Sequence, residues 1–383
     1  MFNLLGNGSE ATQLPSVKPE TDRHSSVVSE FAHLADFPPG TPPDRFMATC
    51  YAAISELLTQ DHPVSELVSD VLSQREISTK HFVNLFYRGV QYVELFERKN
   101  AAYPTAYQTK EAWQAELTDI LAQDGAVLKD VLLQKSTTTT IYQRYAGSHA
   151  VLSALSPHQP LVVADFGCGG NYGLRGMDIK EPFKPFADLT DGTVITRLTT
   201  QPVHLRTGVA IDQQDPADAE MTAWRLACSF YPQELHTLPD VLAQEARLTE
   251  SQHVRFLQAD LLALPVGTPD LPIHEFDAVV MNTVCYQMPE AQEKLIETAA
   301  KLLKPGGLFI VQDFAEKDAR DPHRLNFGVP WHEQPFFYRT FVTAEQTGWE
   351  MKELLQWNDG RCKVVQPGED YHLFQPVLFA PAA

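Results

Sequence analysis

Leu161-Val-Val-Ala-Asp-Phe-Gly-Cys-Gly-Gly-Asn-Tyr-Gly173 is the stretch that decides the fold. Leu161 to Asp165 reads as a strand buried on both faces, and glycines at 167, 169, 170 and 173 follow it at once. Such a turn lets the backbone pass close beneath a ligand where a Cβ would block the approach, and its amides are placed to donate hydrogen bonds. The spacing Gly-x-Gly-Gly-x-x-Gly departs from the Gly-x-Gly-x-x-Gly fingerprint, which counts against a nicotinamide or flavin cofactor.

Downstream of this turn the pattern repeats strand and helix. Val209 to Asp212, Val254 to Asp260 and Phe276 to Asn282 read as further strands. A helix from about 290 to 303 stops at Lys304-Pro-Gly-Gly307 and releases a fifth strand, Leu308 to Asp313. Cys362 to Val365 and His372 to Ala380 are expected to close an antiparallel hairpin. Alternation of this kind predicts an α/β fold with a parallel sheet. Three strands end in a carboxylate, Asp165, Asp212 and Asp260. Carboxylates there face the crevice where ligands of open α/β sheets bind, so Asp212 is expected to accept both hydroxyls of a ribose, with Asp260 beside an adenine edge and the Leu261 backbone reaching the ring. Any one of them taken alone is as well explained as a cap or turn residue; the ordered set points to a nucleoside.

Upstream, residues 1–43 are rich in Ser, Thr, Glu and Pro and end in Phe37-Pro-Pro-Gly-Thr-Pro-Pro43, so a loosely packed leader is expected. Residues 44–150 read as a helical cap or accessory domain, with helices over 45–60, 62–75 and 108–133 and an apolar face on Phe82, Leu85, Phe86, Tyr92, Val93 and Phe96. Core packing is the expected role of that face. Residues 151–383 form the α/β domain. At 383 residues the chain has room for both units, and 44% hydrophobic with 21% charged residues is ordinary for a soluble protein. No apolar run approaches membrane length, and the N-terminus has no secretory pattern. The five cysteines form no CxxC pair and the thirteen histidines show no HxxxH or HxE spacing, so reduced thiols, a cytoplasmic location and no metal are expected. A net charge of −19 repels a phosphate backbone, which disfavours nucleic acid as a partner.

Taken together, Ala164-Asp-Phe-Gly-Cys-Gly-Gly170, Val209-Ala-Ile-Asp212, Leu257-Gln-Ala-Asp260, Phe276-Asp-Ala-Val-Val280 and Leu302-Leu-Lys-Pro-Gly-Gly-Leu-Phe309 resemble the successive motifs of class I S-adenosylmethionine (SAM) dependent methyltransferases, across about 161–315. The resemblance implies a Rossmann-like sheet of seven strands with the seventh antiparallel, and SAM lying over the glycine turn. It implies cofactor contacts from Asp165, Gly167, Cys168, Gly169, Asp212, Gln213, Asp260, Leu261 and Asn282. One departure stands out: 45 positions separate Gly167 from Asp212, where about 20 is usual for a simple nucleotide-binding unit. An insertion around 180–206, a hairpin or loop containing the β-prone stretches Thr193 to Arg197 and Val203 to Leu205, accounts for the excess. A weaker likeness, carried by Asn84 to Thr105, Tyr172-Gly-Leu174 and Ala223 to Pro232, is to an uncharacterised bacterial family that joins a helical N-terminal region to a methyltransferase-like core.

The acceptor is expected near Asn282-Thr-Val-Cys-Tyr-Gln-Met-Pro289, which lacks the Asn/Asp-Pro-Pro-Tyr/Phe pattern of base and glutamine methylation and is more similar to the loop of small-molecule methyltransferases. Tyr286 and Gln287 are candidates to orient a small-molecule acceptor. Tyr145, with Tyr142, is placed either to close over SAM, since a sulfonium is attracted to an aromatic face, or to pack between cap and core. His332, within the cluster His323, Trp331, His332, Phe336, Phe337 and Tyr338, is a candidate acceptor contact or general base. The alternatives to a methyltransferase are a SAM-binding scaffold without turnover and, last, a nicotinamide dehydrogenase.

Overall fold

The structure is a computed structural model and describes residues 20–36, 44–137, 141–155, 159–186, 188–189, 201–229, 232–285, 288, 291–314, 336–344, 348–357 and 364–372. The chain divides into two compact units, Met1–Thr137 with Phe230–His236, and Thr138–Ser229 with Thr237–Ala383. The division falls before residue 150, because Tyr142, Tyr145, Ala146 and Ala150 belong to the core laid against the sheet.

The first unit is helical. Its helices are α1 (Glu20–Ala35), α2 (Asp44–Leu58), α3 (Pro63–Gln74), α4 (Thr79–Tyr92), the short α5 (Tyr103–Ala106) and α6 (Lys110–Gln134). Their starts follow capping chemistry. Proline opens α3 behind His62, whose ring accepts from the Val64 amide; the Ser78 hydroxyl accepts from the His81 amide at α4; Thr109 accepts from the Ala112 amide at α6. The helix α1 lies where a leader was expected. Its apolar pair at i, i+4, Val27 and Phe31, is buried, and Arg23 donates to the carbonyls of Leu72 and Arg75 at 2.7 and 2.9 Å. Polar composition around this pair masked it. The rest of the expected leader, residues 1–19 and 37–43, lies outside the described residues.

The second unit is built on one sheet. Its strands are β1 (Leu161–Phe166), β2 (Asp188–Leu189), β3 (Leu205–Asp212), β4 (Val254–Gln258), β5 (Phe276–Asn282), β6 (Leu303–Phe314), β7 (Phe336–Ala344), β8 (Gly348–Trp357) and β9 (Val364–Pro367). The order is β2-β9-β8-β7-β6-β5-β1-β3-β4. The five strands β4, β3, β1, β5 and β6 are parallel neighbours, as strand and helix alternation requires. Beyond β6 the sheet differs from the expected seven strands with one antiparallel: β7, β8 and β9 each run antiparallel to the strand before, and β2 joins β9 at the far edge. The expected hairpin at Thr193 to Arg197 lies outside the described residues, as does the expected strand His372 to Ala380 beyond His372.

Helices cover both faces. On one, α7 (Ala146–Leu155) and α8 (Tyr172–Asp178) share a core with Leu161, Val163, Ala210, Val280 and Ile310. On the other, α11 (Gln292–Leu302) packs Leu295, Ala299 and Leu302 against Val162, Ala164, Phe166, Val279 and Phe309. Between β3 and β4 the chain forms α9 (Ala219–Ser229) and α10 (Leu238–Leu248). Because β3 and β5 leave the central β1 in opposite directions, their connections part at its C-terminal end and open a crevice there.

Among the described residues, no helix is long and apolar enough to cross a membrane. No three His, Cys, Asp or Glu side chains among them converge on a metal position.

Candidate functional site

The crevice begins where β1 ends. Gly167 takes φ +70°, and a Cβ there would stand 2.5 Å from Val284 Cγ2, so both the backbone conformation and the loop after β5 require glycine. The Gly167 and Cys168 amides donate to the Ile211 carbonyl at 2.9 and 3.0 Å, which ties the turn to β3. The Gly169 amide donates to Asp212 Oδ2 at 2.8 Å. Three amides of the turn are thus already engaged by β3 and its terminal carboxylate.

Asp212 therefore holds the glycine turn. Its Oδ1 also accepts from the Gln214 amide at 3.3 Å. Burial pushes its carboxyl up, while the amides of Gly169, Gln214 and Gln213 pull the other way. A carboxylate has about four acceptor sites, so lone pairs remain for a ribose. Gln213 follows on the exposed rim, its carbonyl accepting from Gln258 Nε2 at 2.9 Å.

Asp165 is the most unusual group. It is 0% exposed, and neither carboxylate oxygen has a hydrogen-bond partner. Burial, and then the charge of Asp212, hold its carboxyl well above the ordinary range. The Tyr145 hydroxyl, which donates to the Cys168 carbonyl at 3.3 Å, lies close enough to ease that charge without closing a bond to it. Asn171 is equally buried in the same turn, at φ +56°, with both amide atoms lacking partners. A fully buried carboxylate and a fully buried amide, both orphaned, cost several kcal/mol unless something binds them.

Tyr145 supports this turn from below. A Cβ on Gly173 would fall 2.1 Å from its ring, so the glycine exists to admit the tyrosine. Tyr142 lies against Gly176 in the same manner and stacks on Phe183 at 4.4 Å. Both tyrosines are buried packing residues of this unit. The opposite side is braced by Arg225, at 5.6 Å over the Tyr172 ring and paired with Glu245 at 2.8 Å.

Asp260 and Leu261 follow β4, next to β3. The Ala259 amide donates to the Asp212 carbonyl at 2.9 Å, which brings this segment beside the ribose candidate. The Asp260 side chain caps the short 3-10 turn Leu261–Ala263 through the Leu262 amide at 2.9 Å. Its carboxylate shapes the turn that presents the Leu261 backbone.

At the end of β5, Asn282 is 5% exposed; Ser148 of α7 donates to its Oδ1 at 2.9 Å, and its Nδ2 has no partner. Thr283 follows at φ +56°, an outlying conformation for a β-branched residue, held by its amide's 2.7 Å bond to the Gln312 carbonyl. Register partners in parallel strands share a face. Asp165 pairs with Val280, and Asn282 pairs with Gln312, so Asp165, Asn282 and Gln312 lie on the sheet face that α7 covers.

The structure thus gathers Asp165, Gly167, Cys168, Gly169, Asp212, Gln213, Asp260, Leu261 and Asn282 around the ends of four adjacent strands. Tyr286, Gln287 and His332 lie outside the described residues, as do His323 and Trp331. The reading of the sequence passed over Ser148, which carries no motif, and Asn171, whose place within a glycine-rich run was the available signal.

Residues 234–311 match the model of a family described as "Methyltransferase domain". No curated protein matches the chain's sequence. Among solved structures, 1,6-didemethyltoxoflavin-N1-methyltransferase of Burkholderia thailandensis is 16% identical over 62% of this chain and 68% of its own, with a TM-score of 0.26. A possible exported protein of Bordetella parapertussis is 16% identical over 82% of this chain and 78% of its own, with a TM-score of 0.28. Phosphoethanolamine N-methyltransferase 2 of Haemonchus contortus is 14% identical over 43% of this chain, which spans 27% of that enzyme's length, with a TM-score of 0.25. Overlaps this low carry no weight on architecture. The methyltransferase-domain match runs through β4 and β5 into β6, beside a glycine-lined crevice with carboxylates at successive strand ends.

Proposed function

We propose that this protein transfers a methyl group from SAM to a small-molecule acceptor. The observation that carries the reading is Asp165: a buried carboxylate with two unpartnered oxygens, adjoining a turn whose own buried amide, Asn171, is also unpartnered. A methionyl group offers an ammonium for the first and a carboxylate for the second, so these residues fit the amino-acid end of SAM. Asp212 has lone pairs left for the ribose hydroxyls, and the Leu261 backbone stands beside it for the adenine.

Bound SAM supplies a sulfonium methyl, whose transfer breaks the carbon–sulfur bond, returns the electron pair to sulfur and releases any acceptor proton to solvent. The protein's share is alignment and exclusion of water. Asp212 fixes the glycine turn, Tyr145 braces it from below, and Asn282 ends the strand next to β1. A small acceptor is supported by the chain's net charge of −19, which disfavours nucleic acid, and by a loop after β5 without the Asn/Asp-Pro-Pro-Tyr/Phe pattern.

Calorimetry with SAM and S-adenosylhomocysteine (SAH) tests the cofactor, and SAH formation across an acceptor panel tests turnover. Saturable one-site binding with acceptor-dependent SAH release is expected. Folded protein that binds neither nucleoside overturns the reading, and binding with no turnover on any acceptor makes the domain a SAM-binding scaffold.

A further inference from the structure

Ser148 Oγ donates to Asn282 Oδ1 at 2.9 Å, so the carbonyl end is occupied and the two N–H donors of Nδ2 remain, buried and without a partner. Asn282 stands one strand from Asp165 and about 6.6 Å further along the sheet by strand geometry, on the same face, at the C-terminal rim of the crevice. The residue that follows, Thr283, is kept at φ +56°. Backbone strain beside an orphaned buried donor is what a preorganised contact looks like before its ligand arrives.

We propose that Ser148 is a positioning residue that sets acceptor chemistry: by holding the Asn282 carbonyl, it leaves a donor pair that selects an oxygen of the methyl acceptor and disfavours an amine. The reason is hydrogen-bond sign. An amine presented to this position brings N–H donors against N–H donors, whereas a phenolate, carboxylate or carbonyl oxygen brings lone pairs. A buried donor facing the wrong partner stays unsatisfied, and sites built on a hydrogen bond reject analogues that cannot make it far more strongly than apolar pockets reject a size change. The proposal rests on methyl transfer at this crevice, and it adds the chemical class of the acceptor.

The test uses the full chain loaded with SAH and two near-isosteric probes, catechol and o-phenylenediamine, followed through the side-chain amide resonance of Asn282. Catechol is expected to shift that resonance saturably, and o-phenylenediamine to bind at least about tenfold more weakly, a gap of one good hydrogen bond. Ser148→Ala frees the amide to turn over, so the preference should collapse toward equality, while Ser148→Thr, which keeps the hydroxyl, should restore it. A purely structural role for Ser148 would not move the ratio between the probes. Equal binding of the two probes by the native chain, stronger diamine binding, failure of both to bind, or an unchanged ratio in Ser148→Ala overturns the proposal. Loss of SAH binding by the native chain instead overturns the underlying methyltransferase reading, so the two failures are distinguishable.

Discussion

Replacing Asp165 by Asn separates a ligand-facing carboxylate from a structural one. This carboxyl is fully buried without a hydrogen bond, and burial with the nearby Asp212 charge raises it well above its ordinary value of 3.8. Under more acidic conditions than that, both folded and unfolded chains hold the proton, and the group has no effect on stability. As pH climbs, the unfolded chain releases its proton first, so the folded state loses about 1.4 kcal/mol per pH unit until its own raised value is reached. The Asp165→Asn variant removes the proton requirement while keeping the shape, so near neutral pH the variant without nucleoside should be more stable than the native chain. Binding should change in the opposite direction. Loss of a charge-assisted contact to the methionyl ammonium costs about 1.5–3 kcal/mol, which weakens SAH roughly 10- to 150-fold. Because pairing with an ammonium ionises Asp165, SAH binding to the native chain should release a proton, visible as an enthalpy that depends on buffer. Denaturant unfolding and calorimetry on both proteins measure all three effects. A variant that is less stable and binds SAH as tightly as the native chain would refute the reasoning.

Gly173→Ala places a methyl 2.1 Å from the buried Tyr145 ring, and overpacking there should cost about 1–3 kcal/mol in thermal unfolding and weaken SAH by displacing the glycine turn; an unperturbed melting curve contradicts the packing. In the helical unit, burial and Glu116 raise Glu94 from 4.5 to about 8, so the folded unit keeps a proton that the unfolded chain gives up, and stability falls as pH rises from about 4.5 to about 8. Glu94→Gln mimics the protonated acid and should flatten that decline, as melting temperatures across the range will read. Asp277 accepts from Lys304 Nζ at 2.8 Å and from the Val162 amide at 2.7 Å; Asp277→Ala should destabilise by about 1–3 kcal/mol and leave SAH affinity unchanged, a useful control against general loss of fold.

How much of this was legible follows from where the signal sits. The central strands could be placed from sequence because burial on both faces leaves nearly unbroken apolar runs: Phe276–Asn282 is β5 as expected, and Leu161 to Asp165 misses β1 by one residue. The strand-end carboxylates were legible because glycine and aspartate at fixed offsets have few other reasons to recur. Their local roles were less so. Asp212 also binds the glycine turn, and Asp260 also caps a 3-10 turn, as any aspartate in those places can. The helix α1 escaped notice since two buried residues, Val27 and Phe31, are too few to show a period among polar neighbours. Ser148 was invisible because its meaning depends on Asn282, a partner 134 positions away that only the folded chain brings near. Beyond β6, alternating strand directions depend on chain reversals that apolar periodicity does not encode.

A crystal structure of the protein grown with SAH measures the central claim most directly. It should show the nucleoside across the Gly167 to Gly170 turn, with the ribose hydroxyls on Asp212 and the amino-acid ammonium on Asp165. SAH bound elsewhere on the chain, or an Asp165 carboxylate still without a partner in the occupied protein, would contradict it.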